Sequence, residues 1–148
     1  MDNLNENFKI IGDVELTLIG PDGEIKDHQE VKNLVVSTGK YWIASRMFNA
    51  ADSVMTHMAI GTSTVTPTVG NTALLTEVAR IALTSTVKTS NQVTYAALFP
   101  AGTGTGNITE AGIFNANALG TMLCRTVFNA VNKDNLDSLT INWTVTIL

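Results

Sequence analysis

The amino-acid sequence predicts an all-β protein: an antiparallel β-sandwich of jelly-roll type with one short helix near residues 40–49. Composition is the first reason, because 21 of the 148 residues are threonine and only 15% are charged. The branched threonine side chain fits the half-hydrated face of a strand. The second reason is that apolar and polar residues alternate along most of the chain, which is the period of a strand with one buried face.

The length suits one domain, and we expect residues 1–148 to form a single sandwich. Within it, residues 1–36 are expected to form an acidic N-terminal arm and a hairpin that lead into the main sandwich, residues 37–148. The turn of the hairpin is expected at Gly20–Gly23, where Pro21 and the glycines suit a β-turn. The hairpin strands are predicted at Lys9–Ile19 and Glu24–Val36.

One helix is predicted from Lys40 to Asn49, after the step Ser37-Thr38-Gly39. Its apolar residues recur at three- and four-residue spacing, as in an amphipathic helix; they are Tyr41, Ala44, Met47 and Phe48. A single helical turn is expected at Thr72–Thr76. The other predicted strands are Met55–Gly61, Glu77–Thr89, Gln92–Phe99, Ile108–Phe114, Thr121–Asn129 and Ser138–Leu148.

The closing strand shows the clearest alternation. Its odd-numbered residues from Leu139 to Ile147 are apolar and include Trp143, whereas the residues between them are threonine and asparagine. This is the pattern of a strand with one buried and one hydrated face. We therefore expect Trp143 in the core.

Charge is distributed unevenly along the chain. Eight of the 13 acidic residues lie in the first 30 positions, whereas the stretch from Ala51 to Cys124 has five charged side chains in all. A surface this poor in charge favours contact with other protein. A hydrated surface of threonine and asparagine is the alternative.

The overall composition excludes several function classes. The net charge is −4, whereas sequence-independent binding of nucleic acid needs a basic surface. No apolar run approaches the roughly 18 residues of a membrane span, and the polar N-terminus does not resemble a signal peptide. We therefore expect neither a nucleic-acid partner nor a membrane.

No catalytic, cofactor-binding or metal-binding residue is predicted. His28 and His57 lie in separate predicted strands, and Cys124 is the single thiol, which is too few ligands for a zinc site. Neither histidine lies in a motif with a nucleophile. The alternation around Cys124 predicts an inert buried thiol. We expect a protein that is not an enzyme and holds no cofactor.

Three other sets of residues invite a chemical interpretation. The segment Gly102–Gly106 lacks the lysine of a phosphate loop and lies between predicted strands, so we expect a simple connection. Asp134 and Asp137 are too few for a calcium loop. Glu77 and Arg80 are expected to form an ion pair. Carboxylates that meet only in space stay open as a catalytic alternative.

Five segments of the chain resemble small virion proteins of tailed bacteriophages. In order, they are NLVVSTGKYWIASRM (33–47), MAIGTSTVTPTVGNTALLTEVAR (58–80), ITEAGIFN (108–115), GTMLCRTVFN (120–129) and LTINWTVTIL (139–148). The resemblance covers residues 33–148. It implies a β-sandwich component of the virus particle, assembled in the cytoplasm of the bacterial host. Such proteins serve as head decoration, head fibre, neck or tail parts.

The first interpretation of this resemblance is a capsid decoration protein, a homotrimer that binds the major capsid protein and stabilises the head. The alternative is a tail, neck or fibre-base component with the same sandwich. A third interpretation is a carbohydrate-binding sandwich or a small hydrolase, although nine aromatic residues leave few for a sugar-binding platform. The copy number in purified particles separates the first two, since decoration requires far more copies.

The first eight residues are expected to bind a partner. They are polar around two apolar anchors, Leu4 and Phe8, which cannot form a core alone. Segments of this kind become ordered along another subunit, and their anchors then carry most of the binding energy. A frayed terminus and packing of Phe8 on the sandwich are the alternatives.

Overall fold

A computed structural model describes residues 8–148 of the chain. These residues form ten strands and one helix. In chain order, the elements are β1 (Ile10–Ile19), β2 (Ile25–Lys32), β3 (Leu34–Val35), α1 (Ser37–Phe48), β4 (His57–Gly61), β5 (Glu77–Ala82), β6 (Ser85–Thr89), β7 (Gln92–Phe99), β8 (Gly106–Phe114), β9 (Met122–Lys133) and β10 (Ser138–Ile147).

The strands form two five-stranded antiparallel sheets that enclose a common core. The first sheet has the order β2-β1-β10-β7-β6, and the second has the order β3-β9-β8-β4-β5. The predicted closing strand, β10, lies at the centre of the first sheet between β1 and β7. The all-β sandwich with one short helix is therefore confirmed, whereas the jelly-roll connectivity stays a prediction.

The core lies between the sheets and is built from their alternating apolar residues. Leu16 of β1 and Ile141 of β10 belong to the same buried cluster as Ile60 and Ile113 of the second sheet. Trp143 is fully buried, as the alternation of the closing strand predicts. Because burial would leave the indole N–H without water, its Nε1 donates a hydrogen bond to Oδ1 of Asn33 at 2.8 Å.

The predicted hairpin is present and forms part of the sandwich. β1 pairs with β2 on one side and with β10 on the other. Its turn closes with a hydrogen bond from the N–H of Gly23 to the carbonyl of Gly20 at 3.0 Å. The predicted strand Glu24–Val36 is broken, however, because the chain leaves the first sheet at Asn33 and β3 pairs with β9 of the second.

The predicted strand Glu77–Thr89 is also two strands. β5 pairs with β4 in the second sheet, whereas β6 pairs with β7 in the first. Leu83 and Thr84 connect the two strands and pass from the second sheet to the first. Because apolar and polar residues continue to alternate through this connection, alternation alone does not reveal the change of sheet. The predicted helical turn at Thr72–Thr76 is wrong, since this segment is irregular. Instead, the backbone N–H groups of Leu75 and Thr76 donate hydrogen bonds to the carboxylate of Glu110.

Gly39 sets how closely α1 approaches the second sheet. A Cβ at this position would lie 2.0 Å from the carbonyl oxygen of Leu123. Alanine is normally preferred to glycine in a helix by about 1 kcal/mol, but here the helix would have to move away from β9. We therefore expect Gly39→Ala to lower the free energy of unfolding by about 1–3 kcal/mol, the range for overpacking.

Urea denaturation measures this effect. Gly70→Ala is the matched control, because a Cβ at Gly70 would meet nothing within 4 Å. A Gly39→Ala variant as stable as the wild type would contradict the prediction.

Candidate functional site

Helix α1 is attached to the sandwich along one face. The hydroxyl of Thr38 donates a hydrogen bond to the carbonyl of Met122 at 2.8 Å. Farther along the helix, Nε1 of Trp42 donates to the carbonyl of Ser53 at 2.8 Å. Trp42 and Ile43 are half-buried and pack against the core. These contacts fix which face of the helix meets solvent.

The apolar face that helical spacing predicts is the face turned to solvent. Tyr41 is 71% exposed, Met47 is 82% exposed and Phe48 is 85% exposed. Both faces of α1 carry large apolar residues, and periodicity does not tell which of them meets the core. These three side chains therefore form an apolar ridge that is exposed to water. Large contiguous apolar patches are uncommon on the surface of soluble monomeric proteins.

A groove lies between α1 and the start of β1. It has a volume of about 590 Å³, and its charged lining residues are Lys9 and Lys40. The main apolar lining residues are Phe8, Ile10, Leu34, Ile43, Ala44 and Met47. We call this groove, together with the exposed Tyr41 and Phe48, the α1 surface.

Phe8, one of the two predicted partner-binding residues, is part of the α1 surface. Its side chain lines the groove and is 68% exposed. The neighbouring Lys9 is held by the last pairing of the first sheet, where the N–H of Leu148 donates to its carbonyl at 2.7 Å. Leu4, the other predicted anchor, lies outside the described residues. Partner binding by Phe8 and Leu4 stays a prediction.

The residues considered for metal or nucleophilic chemistry are not brought together. Cys124 is fully buried, as predicted, and burial raises the pKa of its thiol well above the ordinary value. His57 lies in β4 with its Nδ1 2.8 Å from the hydroxyl of Thr56. His28 lies on β2, in the other sheet. These three side chains therefore share no site.

The structure does bring His28 close to two carboxylates, which the sequence analysis missed. The ligand atoms of Glu15, His28 and Glu30 all lie within 4.8 Å of one another. The register of the hairpin explains this, because Glu15 is directly opposite Glu30 on β1 and β2. All three side chains are exposed, and such groups are common on hydrated surfaces without a metal.

Asp134 and Asp137 bind a lysine. Nζ of Lys26 lies 2.8 Å from Oδ2 of Asp137 and 3.4 Å from Oδ2 of Asp134. The hydrogen bond from Lys26, with a second one from the backbone N–H of Asp134, lowers the pKa of Asp137 below its ordinary value. The ion pairs join the β9–β10 turn to the hairpin. The nearby segment Gly102–Gly106 connects β7 to β8, as predicted.

The predicted ion pair between Glu77 and Arg80 is present. Nη2 of Arg80 lies 2.7 Å from Oε1 of Glu77. The guanidinium also donates hydrogen bonds to the carbonyls of Ala116 and Leu119, and it lies 3.8 Å from the ring centroid of Phe114. Arg80 therefore ties edge strand β5 to the loop that follows β8.

A further ion pair, which the sequence analysis missed, is fully buried within the sandwich. Glu110 and Arg125 are both fully buried, and Nε of Arg125 donates to Oε1 of Glu110 at 3.1 Å. The same carboxylate accepts hydrogen bonds from the N–H groups of Ser63, Leu75 and Thr76 at 2.9–3.1 Å. The carboxylate therefore fixes both ends of the loop between β4 and β5, residues 62–76, which we call the 62–76 segment.

A signal for this pair does exist in the sequence. Glu110 is the one charged residue of β8, and Arg125 is a charge of opposite sign in the interior of β9, between Cys124 and Thr126. Such residues are almost never fully buried unless they are paired. Their partnership depends on the register of β8 against β9, in which Glu110 is opposite Val127. Alternation alone does not supply that register.

Contiguous exposed apolar patches on a folded domain mark sites of contact with other proteins, membranes or ligands. A family model described as phage tail-collar fibre protein, N-terminal, matches residues 28–147. The chain belongs to this family. No curated protein and no solved structure matches it.

The family match confirms the prediction of a tailed-phage virion structural protein. It supports the alternative, a tail or fibre component, more than capsid decoration. The protein is therefore a phage structural protein of tail or fibre type, and other virion proteins are its expected partners. Among the described residues, the one helix is too short to cross a membrane.

Proposed function

We propose that the protein is a non-enzymatic structural component of the phage tail, neck or fibre base that is joined to its neighbours in the particle, other copies of the chain included, through its α1 surface. One observation carries this proposal: Tyr41, Met47 and Phe48 are 71–85% exposed and lie on one helix beside a groove lined mainly by apolar residues. The family match supports a position in the tail or fibre rather than the head. Assembly in the bacterial cytoplasm is part of the proposal.

The energetics favour protein as the partner of this surface. Full burial of one large apolar side chain stabilises a complex by about 1.5–3 kcal/mol. Tyr41, Ala44 and Phe48 follow the i, i+3, i+7 spacing of a helix that binds along one face. Covering this ridge and the groove beside it would therefore supply much of the affinity of a specific interface.

We also propose that the protein is a homotrimer. The charge-poor middle of the chain supports self-association. One example is edge strand β6, whose five residues are all exposed and include a single charge, Lys88. An exposed edge of this kind can pair with another chain. Capsid decoration gains no specific support from the described residues, and a high copy number in purified particles would favour it.

The double substitution Met47→Lys/Phe48→Lys tests the role of the α1 surface. Lysine is a good helix former and both positions are exposed, so we expect the free energy of unfolding to change by less than about 0.5 kcal/mol. Loss of two apolar anchors should weaken binding to particles that lack the protein at least tenfold, as measured by co-sedimentation. Light scattering should show whether self-association is lost as well.

Ile25→Lys/Leu136→Lys is the matched control, because both side chains are exposed and lie outside the α1 surface and outside edge strand β6. It adds the same two positive charges at exposed apolar positions and should leave particle binding unchanged if α1 makes the attachment. Wild-type binding by the α1 double variant, or an equal loss in the control, would refute this proposal.

A further inference from the structure

The groove of the α1 surface combines an apolar lining with positive charge. Ile43 and Met47 of the helix and Leu34 of β3 contribute apolar side chains, and both charged lining residues, Lys9 and Lys40, are basic. A groove of this kind suits a segment that carries an apolar anchor between carboxylates.

Residues 2–7 of the chain have this chemistry. Leu4 lies midway between Asp2 and Glu6, and the other three residues are asparagine. In an extended segment, alternate residues share one face, so the leucine and both carboxylates could meet the same surface. Six extended residues span about 20 Å. The twelve residues of α1 rise about 18 Å, so the segment is long enough to follow the helix.

We propose that residues 2–7 of one copy bind in the groove of a second copy, with Leu4 against Ile43 and Met47 and the two carboxylates near the groove lysines. The inference rests on the self-association included in the proposed function. In a closed cyclic oligomer, each copy donates one segment and receives one. Such an exchange would use the groove of every copy.

A second copy can cover the whole α1 surface, whereas residues 2–7 of the same chain alone cannot. Tyr41, Met47 and Phe48 are each more than two-thirds exposed. A single leucine would cover one part of the groove and leave the rest of this ridge in water. A neighbouring copy brings the segment together with the folded surface from which it projects, and that surface can bury the ridge.

Disulfide cross-linking between copies tests the inference. Leu4→Cys and Ala44→Cys chains are purified separately, mixed so that copies exchange, and oxidised mildly. Cysteine keeps a small apolar side chain at the anchor position, and Ala44 is exposed in the groove. Because a disulfide requires Cα atoms within about 7 Å, we expect a covalent dimer in the mixture. The buried Cys124 stays unreactive.

The control mixture pairs Leu4→Cys with Thr66→Cys, which is exposed in the 62–76 segment. Each single variant is also oxidised alone, and we expect the Leu4→Cys/Ala44→Cys mixture to exceed every control at least fivefold in yield. A yield no higher than the controls would overturn the inference. So would an intrachain disulfide as the sole product of a chain that carries both cysteines.

Charge reversal gives a second, independent measurement. Lys40→Glu in the receiving chain should lower the cross-linking yield about two- to fivefold, the effect expected for an exposed charge pair. Glu6→Lys in the donating chain should restore it. If Glu6→Lys lowers the yield further, the segment does not meet Lys40 as proposed.

Light scattering of the wild-type chain separates this inference from the proposed function. If the wild type self-associates and the α1 double variant loses particle binding, but no cross-link forms, the inference alone is wrong. If the wild type is a monomer and no cross-link forms, self-association and the inference both fail. The particle-binding experiment would then still decide whether single copies attach through the α1 surface.

Discussion

Trp143→Ala is expected to lower the free energy of unfolding by about 3–5 kcal/mol, the range for removal of a large buried aromatic side chain. Trp143 is fully buried and belongs to the cluster between the two sheets. Its strand, β10, is paired on both sides, so neighbouring strands cannot easily collapse into the cavity. The substitution also leaves Oδ1 of Asn33 without the indole donor. Urea denaturation followed by circular dichroism measures the loss.

Two further variants separate packing from hydrogen bonding. Trp143→Phe keeps most of the ring volume and removes the bond to Asn33, so it should cost less than Trp143→Ala. Tyr41→Ala removes an aromatic residue that is 71% exposed and should cost less than about 0.5 kcal/mol in the isolated chain. A Trp143→Ala variant no less stable than Tyr41→Ala would show that the closing strand is not central to the core.

Most of the strands can be predicted from alternation, because a half-buried strand alternates apolar and polar residues along its sequence. β10 and the hairpin of β1 and β2 are examples, as are the predicted strands Gln92–Phe99 and Ile108–Phe114. Alternation fails where a chain keeps its period while it changes sheets. This happens at Asn33 and at Leu83–Thr84, since the pattern records which residues are buried but not which sheet buries them.

The orientation of the helix could not be predicted for a related reason. Helical spacing identifies apolar faces, and α1 has one on each side, through Trp42 and Ile43 on the sandwich and through Tyr41 and Phe48 in solvent. The close approach at Gly39 decides between them, because a residue without a side chain lets one face meet the backbone of β9. The exposed part of the candidate site is therefore a consequence of tertiary packing.

The α1 surface and the predicted arm meet at one residue. Phe8 is an apolar residue in a polar segment, and in the structure it lines the groove beside the helix. The apolar character of Phe8 is visible in the sequence, whereas the groove beside it depends on where the backbone hydrogen bonds between Lys9 and Leu148 hold the start of β1. Family membership supports a virion partner for this surface.

Glu110→Gln is expected to destabilise the protein by about 3–5 kcal/mol, because it removes one charge of a fully buried ion pair and leaves the other. Arg125 would keep its charge at a position that water does not reach. The new NH2 group would also replace one carboxylate oxygen, so its donors would face either the N–H of Leu75 and Nε of Arg125, or the N–H groups of Ser63 and Thr76. Urea denaturation measures the global loss, and amide hydrogen exchange at Leu75 and Thr76 measures the local one.

Glu77→Gln is the matched control for this substitution. Glu77 also pairs with an arginine, but its side chain is one-third exposed, so its loss should cost about 1 kcal/mol or less. In the double variant Glu110→Gln/Arg125→Met, the unpaired buried charge is gone, and we expect part of the stability to return. Equal costs for Glu110→Gln and Glu77→Gln, with unchanged exchange at Leu75 and Thr76, would show that the buried pair does not hold the 62–76 segment.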